Sequence, residues 1–263
     1  MADPRWRQIA GDLRTKIEAS EIGADGRPLP TELELQDIYS ASRNTVRDAV
    51  SWLAGRGLVY KRSGQGTFVA PKIDPFVTKV GDDPDSGNEE STAFSVAVSN
   101  ENRTPAVSVP RVEIMKATGI SAAELNLTPG QSVISRHQER RIDGVPYSLQ
   151  TTFYPMAFLE RGATRLIQAE NIKEGAVHYL ENLLKFEEVG RLDRIKVRPP
   201  DQSEPEFFGL PDDGTVPVME HIRTGYDDGG EPIRVTVTAY PVDRNILVIA
   251  SGRVPPSRSI PAP

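Results

Sequence analysis

The sequence predicts an α+β protein built in two parts, and three observations carry that expectation. Residues 5–71 place apolar side chains at helical spacing and close with a short, glycine-rich strand pair. Residues 72–92 collect Pro75, Pro84, Gly81 and Gly87 with the acids Asp82, Asp83, Asp85, Glu89 and Glu90. That composition reads as an extended, self-repelling linker. Residues 93–254 mix strand-like alternation with helical patterns, and the last stretch, 255–263, is too rich in proline to pack.

Composition narrows the classes that remain. Hydrophobic residues make up 38% of the 263, enough for packed cores, and charged residues make up 26%. There is no cysteine, so disulfides and thiolate metal sites are excluded. The apolar run Ile246-Leu247-Val248-Ile249-Ala250 is far short of the ~20 residues a membrane helix needs. The first residues lack the apolar stretch of an export signal, so the cytoplasm is the expected compartment. The net charge of −6 is unevenly spread. Residues 1–72 carry 11 Lys/Arg against 9 Asp/Glu, and the rest carries 20 against 28. Between 40 and 72 the bases Arg43, Arg47, Arg56, Lys61, Arg62 and Lys72 face one acid, Asp48. An acidic body repels a polyanion and leaves the basic face to approach it.

The elements of the first part follow in order. Ile9, Leu13 and Ile17 recur every four residues and give one helical face, which Trp6 extends. Gly23 and Gly26 break the chain, and Pro28 and Pro30 keep it extended. Thr31-Glu32-Leu33-Glu34 forms a capping box for a second helix that carries Leu35 and Ile38 inward. Ser42 caps a third helix, whose buried stripe is Val46, Ala49, Val50 and Leu53. Arg43 and Arg47 share its other face, with Asn44 and Thr45 in the same first turn. Leu58–Arg62 and Thr67–Ala70 read as strands joined by Ser63-Gly64-Gln65-Gly66. Either basic pair alone would pass for a solvated face; the order of elements points to a winged helix-turn-helix. In that motif the start of the recognition helix enters the major groove, where Arg forks onto guanine and a Thr methyl touches thymine.

The strings Leu29-Pro30-Thr31-Glu32, Ser42-Arg43-Asn44-Thr45-Val46-Arg47-Asp48-Ala49-Val50 and Gly64-Gln65-Gly66-Thr67-Phe68-Val69 resemble the DNA-binding domain of the GntR family. The resemblance implies a homodimer on double-stranded, near-palindromic operator DNA. Arg43, Thr45 and Arg47 would lie at the DNA and Gly66 at the wing tip. Thr31, Asn44, Lys61, Arg62 and Gln65 complete the expected contact set. Many members carry Arg where this chain has Leu33, so a contact made there is expected to be missing.

In the second part, Arg136, Gln138 and Arg140 alternate along a strand that follows Gly130. Such a polar face is either open to solvent or the wall of a pocket for an anion, which Arg can grip with a planar fork. Asp143-Gly144 makes a hairpin turn into Val145–Tyr154, where Ser148, Gln150 and Thr152 share a face. Residues 166–185 read as helical, with Val177, Leu180 and Leu184 apolar. A second hairpin turns at Asp228-Gly229-Gly230.

The strings Leu127-Thr128-Pro129-Gly130, Arg140-Arg141-Ile142-Asp143-Gly144-Val145-Pro146, Phe153-Tyr154-Pro155, Glu231-Pro232-Ile233 and Tyr240-Pro241-Val242-Asp243-Arg244 resemble the UTRA effector-binding domain of the HutC-type branch of GntR regulators. The resemblance implies a chorismate-lyase-like fold around a central antiparallel sheet, without lyase activity. It also implies a small-molecule site, here Arg136, Gln138, Arg140, Gln150, Thr152, Arg234 and Tyr240. Positions often acidic in the family look like Gln150 and Arg234 here, which suggests a more anionic effector, or a pocket that has lost its ligand. The three histidines, His137, His178 and His221, have no metal-site spacing, and there is no nucleophile elbow or P-loop. No catalytic residue, metal or cofactor is therefore expected. The competing expectation is a plasmid-maintenance or architectural DNA binder that needs no effector.

Overall fold

A computed structural model describes residues 4–23, 26–62, 64–70, 76–80, 91–128, 130–210 and 216–249. The chain divides into two compact units, Met1–Pro75 with Pro199–Pro217, and Phe76–Arg198 with Val218–Pro263.

The first unit contains α1 (Arg5–Glu18), α2 (Glu32–Tyr39), α3 (Arg43–Ala54), β1 (Val59–Arg62) and β2 (Gly66–Val69). The apolar stripes meet as the sequence requires: Ile9 and Leu13 of α1, Leu35 of α2 and Val46, Val50 and Leu53 of α3 form one buried cluster, with Trp6 and Ile17 at its margin. Ile38 does not join it and is 58% exposed. The inward stripe of α2 runs from Leu35 to Tyr39, four residues on, because the Tyr39 ring packs on the cluster while its hydroxyl donates to Asp12 at 2.5 Å. The segment Pro199–Pro217, expected to belong with the second part, groups with this unit and holds α8 (Glu204–Phe208). Pro199 and Pro200 lack the N–H a ladder needs, which ends the preceding strand.

The second unit is a seven-stranded antiparallel sheet with helices on both faces. Its strands are β4 (Pro105–Val107), β5 (Arg111–Lys116), β6 (Ser132–Ile142), β7 (Val145–Pro155), β8 (Glu188–Arg198), β9 (Val218–Asp227) and β10 (Pro232–Pro241). They lie in the order β4-β6-β7-β10-β9-β8, with β5 also paired to β6. Asp143 and Gly144 turn the β6–β7 hairpin with φ of +52° and +78°, the left-handed pair that a two-residue turn demands. On one face Val133, Phe153, Val235 and Ile222 pack with α5 (Gly119–Glu124) and its flanks. On the other, Ile134 and Tyr154 pack with α6 (Ala157–Glu160), a 3-10 turn (Thr164–Ile167) and α7 (Ala176–Leu184). The helix expected over 166–185 is thus two pieces, because Gly175 sits at φ +88°, outside helical backbone; Val177, Leu180 and Leu184 are buried as expected.

Part of the stretch expected as linker is structured. Phe76–Val80 forms β3, which pairs in parallel with β11 (Asn245–Ile249), and Phe76 and Val80 are buried. The helix α4 (Ser91–Asn100) starts before the expected domain boundary. Residues 72–75 and 81–90 of the expected linker, and the tail 255–263, lie outside the described residues.

Candidate functional site

In the first unit the candidate surface is the start of α3 and the hairpin that follows it. Ser42 caps α3 by accepting from the Thr45 amide at 3.3 Å, and its hydroxyl also meets that of Thr45 at 2.8 Å. The first turn of α3 contains no acid, so its free amides and partial positive charge suit an anion. Arg43, Asn44 and Arg47 are exposed, Thr45 is half-buried, and the Arg43 side chain keeps 77% of its surface with a loose 3.6 Å contact to Glu32. Val46, Ala49, Val50 and Leu53, on the opposite face, anchor the helix in the core.

Thr31 has a different place. Its amide donates to Glu34 at 2.7 Å, its hydroxyl donates to the same carboxylate at 2.9 Å, and it accepts from the Glu34 amide at 3.3 Å. That closes the capping box and occupies the hydroxyl. Thr31→Ala should therefore lower unfolding free energy by about 1 kcal/mol in urea denaturation. An unchanged midpoint would deny the cap any weight.

On the wing, Lys61, Arg62, Gln65 and Gly66 are all exposed. Gly66 has φ +117°, and a Cβ there would come within 3.3 Å of Pro28, so the tip needs glycine. The Arg62 guanidinium lies 5.3 Å from the Tyr60 ring and 4.9 Å from Phe68, two rings that stack at 5.9 Å. This aromatic seat, which the charge pattern does not reveal, orients the cation. A cleft of about 420 Å³ is lined by the wing and by Pro28–Glu32. Leu33 is 68% exposed beside it in sequence, so this position offers DNA no charge.

In the second unit the polar face of β6 is buried rather than open to solvent: Arg136, Gln138 and Arg140 are 5%, 8% and 4% exposed. Strand register sets these side chains in rows. The first row is Arg136, Thr152, Thr236, Arg223 and Asp193. It is satisfied internally. Arg136 donates to the carbonyls of Leu166, Gln168 and Glu170 at 2.8, 2.9 and 2.7 Å. Thr152 and Thr236 share a 3.1 Å hydrogen bond, and Arg223 donates to Asp193 at 2.6 Å. Burial alone would raise the Asp193 carboxyl, but hydrogen bonds from His221 and Arg223 hold it at about 2. Arg234 is equally committed: it grips Glu188 with two hydrogen bonds of 2.8 and 3.0 Å and donates to Thr236. Gly225 leaves room for that carboxylate, since a Cβ there would collide with it.

The second row is Gln138, Gln150, Thr238, His221 and Ile195. Gln138 donates to Asn171 at 2.8 Å and His221 meets Asp193 at 2.5 Å. Between them lie Gln150 and Thr238, each 3% exposed. In the next row Arg140 pairs across from Ser148. Ser148 is fully buried, and its hydroxyl has no partner among the described residues. Arg140 lies 5.1 Å from the Phe94 ring, and Tyr147 bridges Phe94 and Tyr240 at 5.3 and 5.4 Å.

Both halves of this arrangement match known families. Residues 6–69 match the bacterial regulatory proteins of the gntR family, and residues 100–245 match the UTRA domain.

The chain belongs to the GntR family and carries a UTRA domain.

Its relatives agree. It is 23% identical over 248 residues to the HTH-type transcriptional regulator GmuR of Bacillus subtilis, covering 92% of this chain and 96% of that protein. It is 25% identical over 243 residues to the mannosyl-D-glycerate transport/metabolism system repressor MngR of Escherichia coli, covering 91% and 92%. A crystal structure of a GntR-family transcriptional regulator shares the fold with a TM-score of 0.65, at 23% identity over 96% of this chain and 99% of that one. PhnF from Mycobacterium smegmatis follows at 0.53, with 21% identity over 93% and 99%.

Of the UTRA-side residues named from sequence, Arg136, Gln138, Arg140, Gln150 and Thr152 share the sheet face, and Arg234 and Tyr240 lie on β10. Arg136 and Arg234 serve protein acceptors there. Ser148, Thr238 and His221 share the face as well, outside the set expected to bind an effector. The alternation Thr236, Thr238, Tyr240 along β10 was the signal that could have found Thr238.

Proposed function

We propose that this GntR–UTRA chain is a repressor that binds operator DNA as a homodimer, with affinity set by a small molecule on the buried polar face of the UTRA sheet. It acts in the cytoplasm and catalyses no reaction. The observation that supports the DNA reading most is the acid-free, capped first turn of α3, with Arg43, Asn44 and Arg47 exposed and Lys61 and Arg62 on the adjoining hairpin. The first three suit base edges, and the wing cations suit phosphates. The effector must bind one dimer arrangement better than another, or nothing shifts.

The test is an operator selected from random duplexes and titrated by fluorescence anisotropy across salt concentrations. Removing Lys61 and Arg62 together should flatten the slope of log affinity against log salt by about 1 per residue. An identical slope in wild type and double variant would show that the wing does not touch phosphate. No selectable duplex at all would sink the function.

Saturation of Arg136 and Arg234 by protein groups favours a second reading, a DNA binder without an effector. The Ser148 hydroxyl, buried and without a hydrogen-bond partner among the described residues, weighs against it, because buried polar groups are normally paired.

No helix among the described residues is long and apolar enough to cross a membrane.

A further inference from the structure

The single acid among the bases of residues 40–72 stands on the helix offered to DNA. Asp48 is exposed, in the second turn of α3. The buried stripe of that helix is Val46, Ala49, Val50 and Leu53. At about 100° per residue, Asn44, Asp48 and Ser51 fall on the side directly opposite, and all three are exposed. Asp48 therefore occupies the middle of the outward face, with Arg43 and Arg47 on one flank. It lies roughly 7.5 Å along the axis from Arg43, within the N-terminal half that enters the major groove. The residues one turn away, Asn44, Thr45, Ser51 and Trp52, include no base, so α3 supplies the carboxylate with no i,i+3 or i,i+4 ion pair. Arg43 leans instead on Glu32 at 3.6 Å. An acid that faces a polyanion costs affinity through repulsion. What it gains is selectivity, because a carboxylate only accepts hydrogen bonds. The edges of guanine and thymine offer it no donor. In an A·T pair the adenine N6 donor lies between two acceptors, N7 and thymine O4. In a G·C pair the cytosine N4 donor ends the pattern, with an acceptor on one side only.

We propose that Asp48 is a specificity-determining residue that accepts a hydrogen bond from the N4 amino group of one cytosine in each operator half-site. This rests on the DNA reading above and adds a contact outside the expected set of Arg43, Asn44, Thr45 and Arg47. The arginines combine attraction to any duplex with a fork for guanine. The acid selects by exclusion: its charge weakens every duplex, and the loss is offset only where an amino group meets it.

The experiment selects duplexes from a random library with the full chain as wild type, Asp48→Asn and Asp48→Ala. Asp48 is exposed, so both variants should unfold at the wild-type midpoint. The wild type should select cytosine at one position per half-site. Asp48→Asn should move that preference to adenine, because an amide donates to N7 and accepts from N6. Asp48→Ala should relax it and should bind a scrambled duplex more tightly than the wild type does. In anisotropy titrations, changing the selected C·G pair to T·A should weaken the wild type about 5- to 150-fold more than it weakens Asp48→Ala. Equal weakening of the two, or identical base preferences in all three proteins, would overturn the proposal. A uniform gain in affinity across all duplexes, with preferences unchanged, would also overturn it, since the acid would then be a general brake on binding. In each of these outcomes the wild type still selects an operator, so the DNA reading stands. If the wild type selects no duplex at all, that reading falls and this assignment falls with it.

Discussion

Glu188→Ala should destabilise the sheet-bearing unit by about 3–5 kcal/mol, the usual cost of breaking a buried ion pair from one side. The Glu188 and Arg234 side chains are 1% and 3% exposed, and the carboxylate is gripped by both Arg234 and Arg191. Burial alone would raise the Glu188 carboxyl, but Arg234 holds it below its ordinary range, so it stays ionised. Removing it strands the positive charge of Arg234 in a place water cannot reach. The double variant Glu188→Leu, Arg234→Met should recover most of the loss, because neither charge then needs solvation. Urea unfolding followed by circular dichroism reads both values. A loss below about 1 kcal/mol for the single variant would mean that the pair is solvated in solution. A double variant as unstable as the single would mean that shape, not charge, is what the pair supplies.

Arg43→Ala and Arg47→Ala should each weaken operator binding by about 1–3 kcal/mol, some 5- to 150-fold, if each forks onto a guanine. Both side chains are exposed and lie on the face of α3 opposite its buried stripe, so neither change should disturb the fold. That separates this prediction from the first: affinity falls while the unfolding midpoint stays. Specificity should relax at one base pair per half-site for each variant, whereas loss of a phosphate contact weakens all duplexes alike. Anisotropy titrations against the operator and a scrambled duplex distinguish the two. Unchanged affinity in both variants would remove α3 from the interface.

Local chemistry explains what could be read in the chain before its fold. Thr31 and Glu34, Ser42 with the turn it caps, and the Asp143-Gly144 pair act within a few residues of themselves, so spacing alone reveals them. What was not legible depended on distant partners. Phe76–Val80 looks like linker because its ladder comes from Asn245–Ile249. Ile38 looks apolar and inward, but the stripe of α2 turns on Tyr39 and its bond to Asp12 in another helix. Arg136 looks like an anion receptor because its acceptors are main-chain carbonyls, which leave no mark in a side-chain pattern. Arg234 looks the same, since Glu188 lies 46 positions away. Strand alternation therefore reveals that these side chains share one sheet face, while the partners that occupy their charges leave no trace in it.

The pairing of β3 with β11 also bears on how the chain is made. Phe76 follows directly on the DNA-binding unit, yet its strand partner begins at Asn245. During synthesis from the N-terminus, α1 to β2 can fold early from contacts close in sequence, whereas β3 waits until Asn245–Ile249 has emerged from the ribosome. For most of translation, then, a nascent chain can hold α1 to β2 folded while the strand that follows them has no partner. A product truncated before Asn245 would keep the means to find DNA and lack the strand that anchors β3.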